Sequence, residues 1–203
     1  MLHGVDLSTY QTQVNYMALG VLDFAYVKAF DAGASPQVDP MLLLHCAGLV
    51  DYAVPYGCYC FGHPSHDVAE SVDGYLGAVK GLAPKLLHVI DMESLSRLPD
   101  GTQVIPGNAG PWALSWCDRV QSLASRPAVY ASTSYWVAML RQAPALGAFK
   151  LWRAQYSSMC PLVMPPGPAA IALQWTGTGR VDGVQGDADL DVVYADDLSA
   201  LLL

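Results

Sequence analysis

The sequence is poor in charge, and especially in positive charge. Only 14% of its 203 residues are charged, against about 25% in average proteins, and 53% are hydrophobic. This composition argues against disorder and against a coiled coil. Ten lysines and arginines stand against eighteen aspartates and glutamates, so the net charge is −8, the wrong sign for binding a phosphate backbone. We therefore expect no nucleic acid partner.

The sequence also shows no sign of a full set of disulfides, of a secretory leader or of a membrane-spanning helix. Five dispersed cysteines cannot all pair within one chain, so reduced thiols are expected. The first residues lack a cationic stretch followed by an apolar core, which predicts synthesis in the cytoplasm without a secretory signal. The longest uncharged run, residues 154–179, contains four prolines and favours a loop followed by a strand over a membrane helix.

Short apolar runs alternate with amphipathic ones, as in repeated βα units. Eight strands are predicted, at residues 4–8, 24–30, 54–61, 86–93, 127–132, 150–156, 170–176 and 188–193. Five helices are predicted, at 14–19, from 41 onward after an Asp39-Pro40 cap, and at 68–79, 112–123 and 135–141. The connections 157–169 and 177–187 are too rich in proline or glycine for helices. We expect an α/β fold, a single incomplete TIM-like barrel, with residues 1–203 as one catalytic domain.

The fourth predicted strand ends in two carboxylates, Asp91 and Glu93. Because residues i and i+2 of a strand point the same way, both side chains should project from its carboxyl end, the catalytic face of a barrel. Crowded acids in apolar surroundings have raised pKa values, which is how a glutamic acid stays protonated for use as a general acid. The alternative to a catalytic pair is that Asp91 and Glu93 are ordinary solvated acids at the end of a strand.

Two further acids fall on strands that should be neighbours in a closed barrel. Asp6 ends the first predicted strand, and Asp189 lies at the start or the end of the last one. Four carboxylates around one barrel mouth predict either glycoside hydrolysis or a divalent metal site.

Short motifs run in one order along most of the chain. They are GVDLSTYQ (4–11), FAYVKA (24–29), GCYCF (57–61), IDME (90–93), AVY (128–130), LWRAQY (151–156), LQWT (173–176) and GDADL (186–190). In this order the chain resembles the family 25 glycoside hydrolases, the muramidases called Chalaropsis-type lysozymes. The resemblance implies a barrel of eight strands and five helices, which agrees with the count from periodicity.

The resemblance also implies a reaction, hydrolysis of the β-1,4 bond between N-acetylmuramic acid and N-acetylglucosamine in peptidoglycan. It makes Glu93 the general acid, Asp91 the group that tunes Glu93 and polarises the substrate, and Asp6 and Asp189 supporting acids. Three routes stay open: retention with help from the acetamido group of the sugar, reaction through a protein nucleophile, and inversion. The separation of the carboxylates decides between them, and the sequence does not give that separation. No cofactor and no metal are implied.

Aromatic and amide side chains near the strand ends are the candidates for sugar binding. They are Tyr59, Phe61, Tyr130, Trp152 and Gln174, with Trp175 a weaker candidate. Sugar rings stack on aromatic faces, although about half of such residues are expected to be barrel core.

The chain departs from the family pattern at two places. Cys60 stands where the family has histidine, and Phe30-Asp31 stands where it has Thr-Glu. Both changes are expected near the cleft, where they bear on substrate subtype and pH optimum more than on the reaction.

Three alternatives to a muramidase complete the predictions. Cys58, Cys60, His63 and His66 have a spacing that zinc can use, but Cys60 falls in a buried strand, and His88 is expected to be a core residue. A non-catalytic glycan-binding barrel and a metal-dependent deacetylase are the other functions considered.

An enzyme without a secretory signal would fit a phage endolysin or a virion lysozyme that acts on the bacterial cell wall. The oligomeric state stays open.

Overall fold

In the part of the chain that the structure describes, nine strands form one sheet that closes into a barrel. The computed structural model describes residues 1–19, 21–33, 35–94 and 104–203. The strands are β1 (Leu2–Leu7), β2 (Phe24–Asp31), β3 (Gln37–Val38), β4 (Tyr56–Phe61), β5 (Val89–Met92), β6 (Ala128–Ser132), β7 (Lys150–Ala154), β8 (Ala172–Gly179) and β9 (Ala188–Val193). Their order is β1-β9-β8-β7-β6-β5-β4-β2-β3, and pairing of β1 with β2 closes an eight-stranded ring. The predicted TIM-like barrel is confirmed, with β3 as an added edge strand.

The last strand runs against its neighbours. The other strands of the ring pair in parallel, but β9 is antiparallel to both β1 and β8. Its amino end therefore lies beside the carboxyl end of β1, where Asp189 pairs with Asp6. The sequence left open which end of the strand carries Asp189; it is the amino end.

Helices cover only part of the barrel. They are α1 (Tyr16–Leu19), α2 (Leu42–Asp51), α3 (Val68–Val79), α4 (Ala109–Leu123) and α5 (Thr133–Gln142), followed by a 3-10 helix (Pro144–Ala148). In α3 Val72, Tyr75 and Val79 are buried, and the Asp67 carboxylate caps the helix by accepting a hydrogen bond from the Glu70 N–H at 2.9 Å. As predicted, the described residues form no helix between β7 and β9. No helix in the described part of the chain is long and apolar enough to cross a bilayer.

Several element ends differ from prediction. Strand β5 is four residues long rather than eight, so Glu93 lies just beyond its end. Helix α2 begins at Leu42 with Met41 in the N-cap position, although the Asp39 carboxylate still accepts a hydrogen bond from the Met41 N–H at 2.8 Å. Strand β3 and the 3-10 helix carry no strong sequence pattern and were not predicted, because each is held by its neighbours rather than by its own periodicity.

The barrel interior is filled by aromatic side chains. Phe24, Tyr26, Tyr59, Tyr130 and Trp152 belong to the cluster inside the ring. The Trp152 ring lies 4.7 Å from that of Tyr26 and 5.1 Å from that of Tyr130, measured between centroids. These rings close the barrel from below and form a rigid floor beneath its carboxyl end.

A buried cation organises the proline-rich connection between β7 and β8. Trp152 points into the barrel, so the next residue, Arg153, points outward, where a crossover helix would otherwise pack. Arg153 is fully buried and donates hydrogen bonds to the carbonyls of Pro165 (2.6 Å) and Pro168 (3.0 Å). Gly167 lies against the guanidinium at a φ of +152°, and a Cβ there would collide with it. The loop thus covers this side of the barrel.

Candidate active site

A cleft of about 310 Å³ opens at the carboxyl ends of the parallel strands. Its lining is mostly acidic and aromatic: Asp6, Ser8, Tyr10, Lys28, Asp31, Tyr59, Phe61, Asp91, Glu93, Tyr130, Trp152, Tyr156, Gln174 and Asp189. All four predicted catalytic acids and all five predicted binding residues line this one cleft. Their chemical roles stay predictions.

The strand register explains why these side chains converge. Asp31 pairs with Phe61, Phe61 with Asp91, Asp91 with Tyr130, and Tyr130 with Trp152. Residues in one row across a sheet point to one face, and in a barrel that face is the interior. One row of the ring therefore delivers side chains from five strands to the same wall of the cleft.

Asp91 is held in a setting that favours its neutral form. The side chain is 8% exposed, and its Oδ1 atom has no hydrogen-bond partner among the described residues. Burial raises the pKa of Asp91 well above its ordinary value, the charge of Glu93 raises it further, and Lys28 opposes the shift. Asp91 therefore retains its proton to higher pH than a free carboxyl would.

On the opposite wall, one amide fixes Asp6. The Gln174 amide nitrogen donates to Asp6 Oδ2 at 2.9 Å. The amide oxygen of Gln174 accepts from the hydroxyls of Tyr130 (2.7 Å) and Tyr156 (2.9 Å). Because the oxygen already has two donors, the nitrogen must face Asp6. Burial raises the pKa of Asp6 well above its ordinary value, and the charges of Asp189 and Asp191 add to the effect.

Asp189 is the least enclosed of these shifted aspartates. Burial raises its pKa to about 6, with a further contribution from the charge of Glu93, while a hydrogen bond with Asp6 works in the other direction. A group with this pKa changes its charge in the mildly acidic range, so the charge of the cleft depends on pH there.

The cleft also contains residues that the sequence analysis did not place in the site. Lys28, the one cation in the described lining, lies 2.8 Å from Asp31 Oδ2 and 4.7 Å above the Phe61 ring. Burial by itself would raise the pKa of Asp31, but hydrogen bonds from Lys28 and from the Gly33 N–H lower it below its ordinary value. Asp31 is therefore an ionised group on the rim.

Three more lining residues were missed, namely Ser8, Tyr10 and Tyr156. Ser8 lies two residues beyond Asp6, so strand alternation could have indicated it. Tyr156 lies beyond the end of β7 and turns back to Gln174, and no sequence pattern predicts that turn. Trp175, the weaker sugar-binding candidate, is absent from the described lining.

Cys60 and Phe30 were expected near the cleft, but neither is among the residues that line it. Cys60 alternates with Tyr59 and Phe61, so its side chain points outward, fully buried, with its Sγ 3.7 Å from Ser71 Oγ on α3. Phe30 also belongs to the outer core, between the sheet and the helices. Of the departures from the family pattern, only Asp31 lines the cleft.

The zinc alternative finds no support in the geometry. No group of three or more His, Cys, Asp or Glu side chains in the described ranges is arranged to hold a metal ion. Cys60 is directed to Ser71, and His63 lies 3.3 Å from Asp31. The prediction for His88 is confirmed: it is buried and shares a 2.8 Å hydrogen bond with the Tyr75 hydroxyl.

A TIM-like barrel with crowded carboxyls and aromatic side chains at the carboxyl end of its strands fits one class of protein in particular, the glycoside hydrolases. The model of the glycosyl hydrolases family 25 matches residues 5–184. The chain belongs to that family, and it is a glycoside hydrolase.

Solved structures share the fold at low identity. The spore cortex lytic enzyme SleM of Clostridium perfringens has a TM-score of 0.82 and 22% identity, over 99% of this chain and 69% of that one. The Streptomyces coelicolor lysozyme has a TM-score of 0.77 and 21% identity, over 98% and 94%. The catalytic domain of endolysin ply40 from the Listeria monocytogenes phage P40 has 0.78 and 20%, over 97% and 94%. A search of curated protein sequences finds no significant match.

Proposed function

We propose that this chain is a muramidase, which hydrolyses the β-1,4 bond between N-acetylmuramic acid and N-acetylglucosamine in bacterial peptidoglycan. One observation carries the proposal: Asp6, Asp91, Glu93 and Asp189 line a single cleft with an aromatic floor. Paired carboxyls supply the proton and the electrostatic support that cleavage of a glycosidic bond needs, without a cofactor. Membership of family 25 supports this choice of reaction.

In this proposal Glu93 is the general acid that protonates the leaving oxygen. It lies just beyond β5, where the cleft is open to a glycan, and Asp91 lies below it in a buried position. The raised pKa of Asp91 keeps a proton next to Glu93, and the charges of the two carboxyls repel each other. Asp91 tunes Glu93 and polarises the substrate near the anomeric carbon.

The remaining residues support charge and position the sugar. Asp189, when ionised, faces the positive charge that develops on the sugar ring, and Asp6 stands beside it. Tyr59, Phe61, Tyr130 and Trp152 offer rings to the substrate. The two tyrosine hydroxyls on Gln174 hold that amide in place, so the wall opposite Glu93 is rigid. The anomeric configuration of the first product would distinguish retention from inversion.

The setting we propose is attack on the wall of a bacterial host by a phage endolysin or a virion lysozyme. The endolysin domain from phage P40 shares this fold. Purified walls from candidate hosts would identify the target.

The test is clearing of purified peptidoglycan, with the released fragments analysed by mass. The wild type should clear the suspension and leave muramic acid at the new reducing ends. Glu93→Gln should lower the rate by about 100-fold or more, because the acid is lost while shape is retained. Glu70, the other glutamate of the chain, is exposed on α3, and Glu70→Gln is the matched control that should clear normally.

Two results would contradict the proposal. Equal clearing by Glu93→Gln and the wild type would show that another residue is the general acid. Binding of glycan by a folded wild type that releases no reducing ends would favour the alternative, a non-catalytic glycan-binding barrel.

A further inference from the structure

Beneath the cleft lies an acid that none of the roles above uses, Asp191. It lies on β9, paired in register with Gly4 on β1 and Gln174 on β8, and is only 1% exposed. Like Asp189, two residues earlier, it is directed into the barrel. A carboxyl in such a position is costly to ionise unless a partner compensates for the lost water.

The described residues around Asp191 supply one ordinary donor and no cation. The Trp152 indole nitrogen on β7 donates to Asp191 Oδ1 at 2.9 Å. In the described part of the chain Oδ2 has no hydrogen-bond partner, and none of the ion pairs there includes Asp191. The other groups that face it are the Tyr26 phenol from β2 and the carboxyls of Asp6 and Asp189. The unpaired oxygen therefore lacks a donor unless a neighbouring carboxyl carries a proton.

Asp6 is the carboxyl that can supply this proton. Its Oδ2 already accepts from Gln174, and a protonated Asp6 makes the hydrogen bond that counteracts the raised pKa of Asp191. Burial, as the first cause, raises the pKa of both Asp6 and Asp191 well above the ordinary value, and their charges repel each other. Two carboxyls in this arrangement titrate as a pair that holds one proton over a wide range of pH.

We propose that Asp191 is a positioning residue that shares one proton with Asp6, so that Asp6 is neutral rather than a second negative charge beside Asp189. Because a neutral Asp6 does not repel the charge of ionised Asp189, the sharing favours the state of Asp189 that supports positive charge on the sugar. Asp191 touches no substrate in this arrangement. It acts through Asp6 from the barrel interior.

Asp191→Asn separates this role from packing. The asparagine oxygen can still accept from Trp152, and its amide can donate to Asp6, so Asp6 becomes ionised at lower pH. Asp189 then gains a negative neighbour, which raises its pKa. We expect the acid limb of the pH profile of kcat/KM to move up by about 0.5 pH unit or more. Asp187→Asn, the same change at an exposed site, should leave the profile in place.

The pH profile rests on the proposed muramidase function, whereas a second measurement does not. Isotope-labelled aspartate carboxyls are followed by NMR during a pH titration. The wild type and Asp187→Asn should each show one protonated carboxyl signal at neutral pH that Asp191→Asn lacks. If the variant does not fold, the assigned signals of Asp6 and Asp191 in the wild type still decide the matter.

The inference is overturned if both Asp6 and Asp191 ionise in the ordinary range of aspartate, or if Asp191→Asn folds and its pH profile superimposes on that of the wild type. A wild type without muramidase activity would overturn the proposed function, and the titration would then test the proton sharing by itself.

Discussion

Around the cleft, β4, β5 and β6 are each followed by a helix, whereas β7, β8 and β9 are joined by loops. Asp91 belongs to the first half and Asp189 to the second. Asp91 reaches the cleft from the carboxyl end of a parallel strand, and Asp189 reaches it from the amino end of an antiparallel one. The same chemistry at the mouth is thus built on two different frameworks.

The halves also differ in how their outer surfaces are stabilised. On the helical side, α3 and α4 press side chains such as Val72 and Trp116, both fully buried, against the sheet. On the loop side, Arg153 replaces such a helix by bonding two carbonyls of the proline-rich connection. Apolar burial is tolerant of sequence, whereas a buried guanidinium depends on each of its acceptors.

The largest expected effect is a loss of stability on the loop side of the barrel when Arg153 is replaced. Arg153→Ala removes a buried group and its two hydrogen bonds, and should lower the free energy of unfolding by about 3 kcal/mol. Val72→Ala on the helical side should cost a similar amount, about 2–3 kcal/mol, through lost packing. Arg180→Ala is the control: its ion pair with Asp187 is exposed, and the expected change is below about 0.5 kcal/mol. Urea unfolding measures all three.

An Arg153→Ala variant as stable as Arg180→Ala would show that the loop side holds without its cation. The loop side would then depend on its hydrogen bonds less than the contacts of Arg153 indicate, and the two sides would be stabilised in more similar ways.

A smaller effect should appear in the pH dependence of stability. Asp189 has a folded-state pKa of about 6, above the unfolded value. Ionising it is harder in the folded state, so its contribution to stability is fully present at pH below the unfolded pKa and is lost as pH rises toward 6. Asp189→Asn cannot ionise. Its stability relative to wild type should therefore rise over that interval, by on the order of 1–2 kcal/mol after allowance for partial exposure.

Thermal unfolding from about pH 4 to pH 7 measures this difference. Asp187→Asn again serves as the control, because its side chain is exposed. A constant difference between Asp189→Asn and wild type across the interval would contradict the raised pKa.

The smallest expected effect is on the rate at which whole cells are cleared, and its cause is the net charge of the protein. With a net charge of −8, the protein is repelled by an anionic cell wall, and salt screens that repulsion. Clearing of whole cells should fall by a few-fold at low ionic strength, whereas hydrolysis of a short uncharged glycan should change little. Rates measured across a series of salt concentrations check this, and faster clearing of cells at low salt would contradict it.

Much of the fold could be predicted because many of its helices and strands follow local rules. The helix at 68–79 and the strand at 188–193 were predicted with the observed bounds, since periodicity and caps are properties of short windows. Strand β5 was predicted too long, because an apolar run shows burial but not where pairing stops. The outward direction of Cys60 followed from alternation with Tyr59, and resemblance to a motif obscured it.

The site was predicted less evenly. Asp91 and Glu93 stand two residues apart, and that spacing alone placed them together. Asp31 was expected near the cleft and lines it. Lys28 enters the cleft through the pairing register of β2 and Tyr156 through a turn after β7, and neither feature is visible in a short window.

By itself, the sequence determined which side chains are available, the alternation that sends some of them inward, and the order of motifs that indicates family 25. Those are local properties, encoded by residue type and spacing. Only the tertiary structure decided that β9 is antiparallel, and that Asp191 lies beneath Asp6 and Asp189 with no cation among the described residues to pair with it. The energy of a carboxyl depends on how much water and which charges surround it, and closure of the barrel determines both.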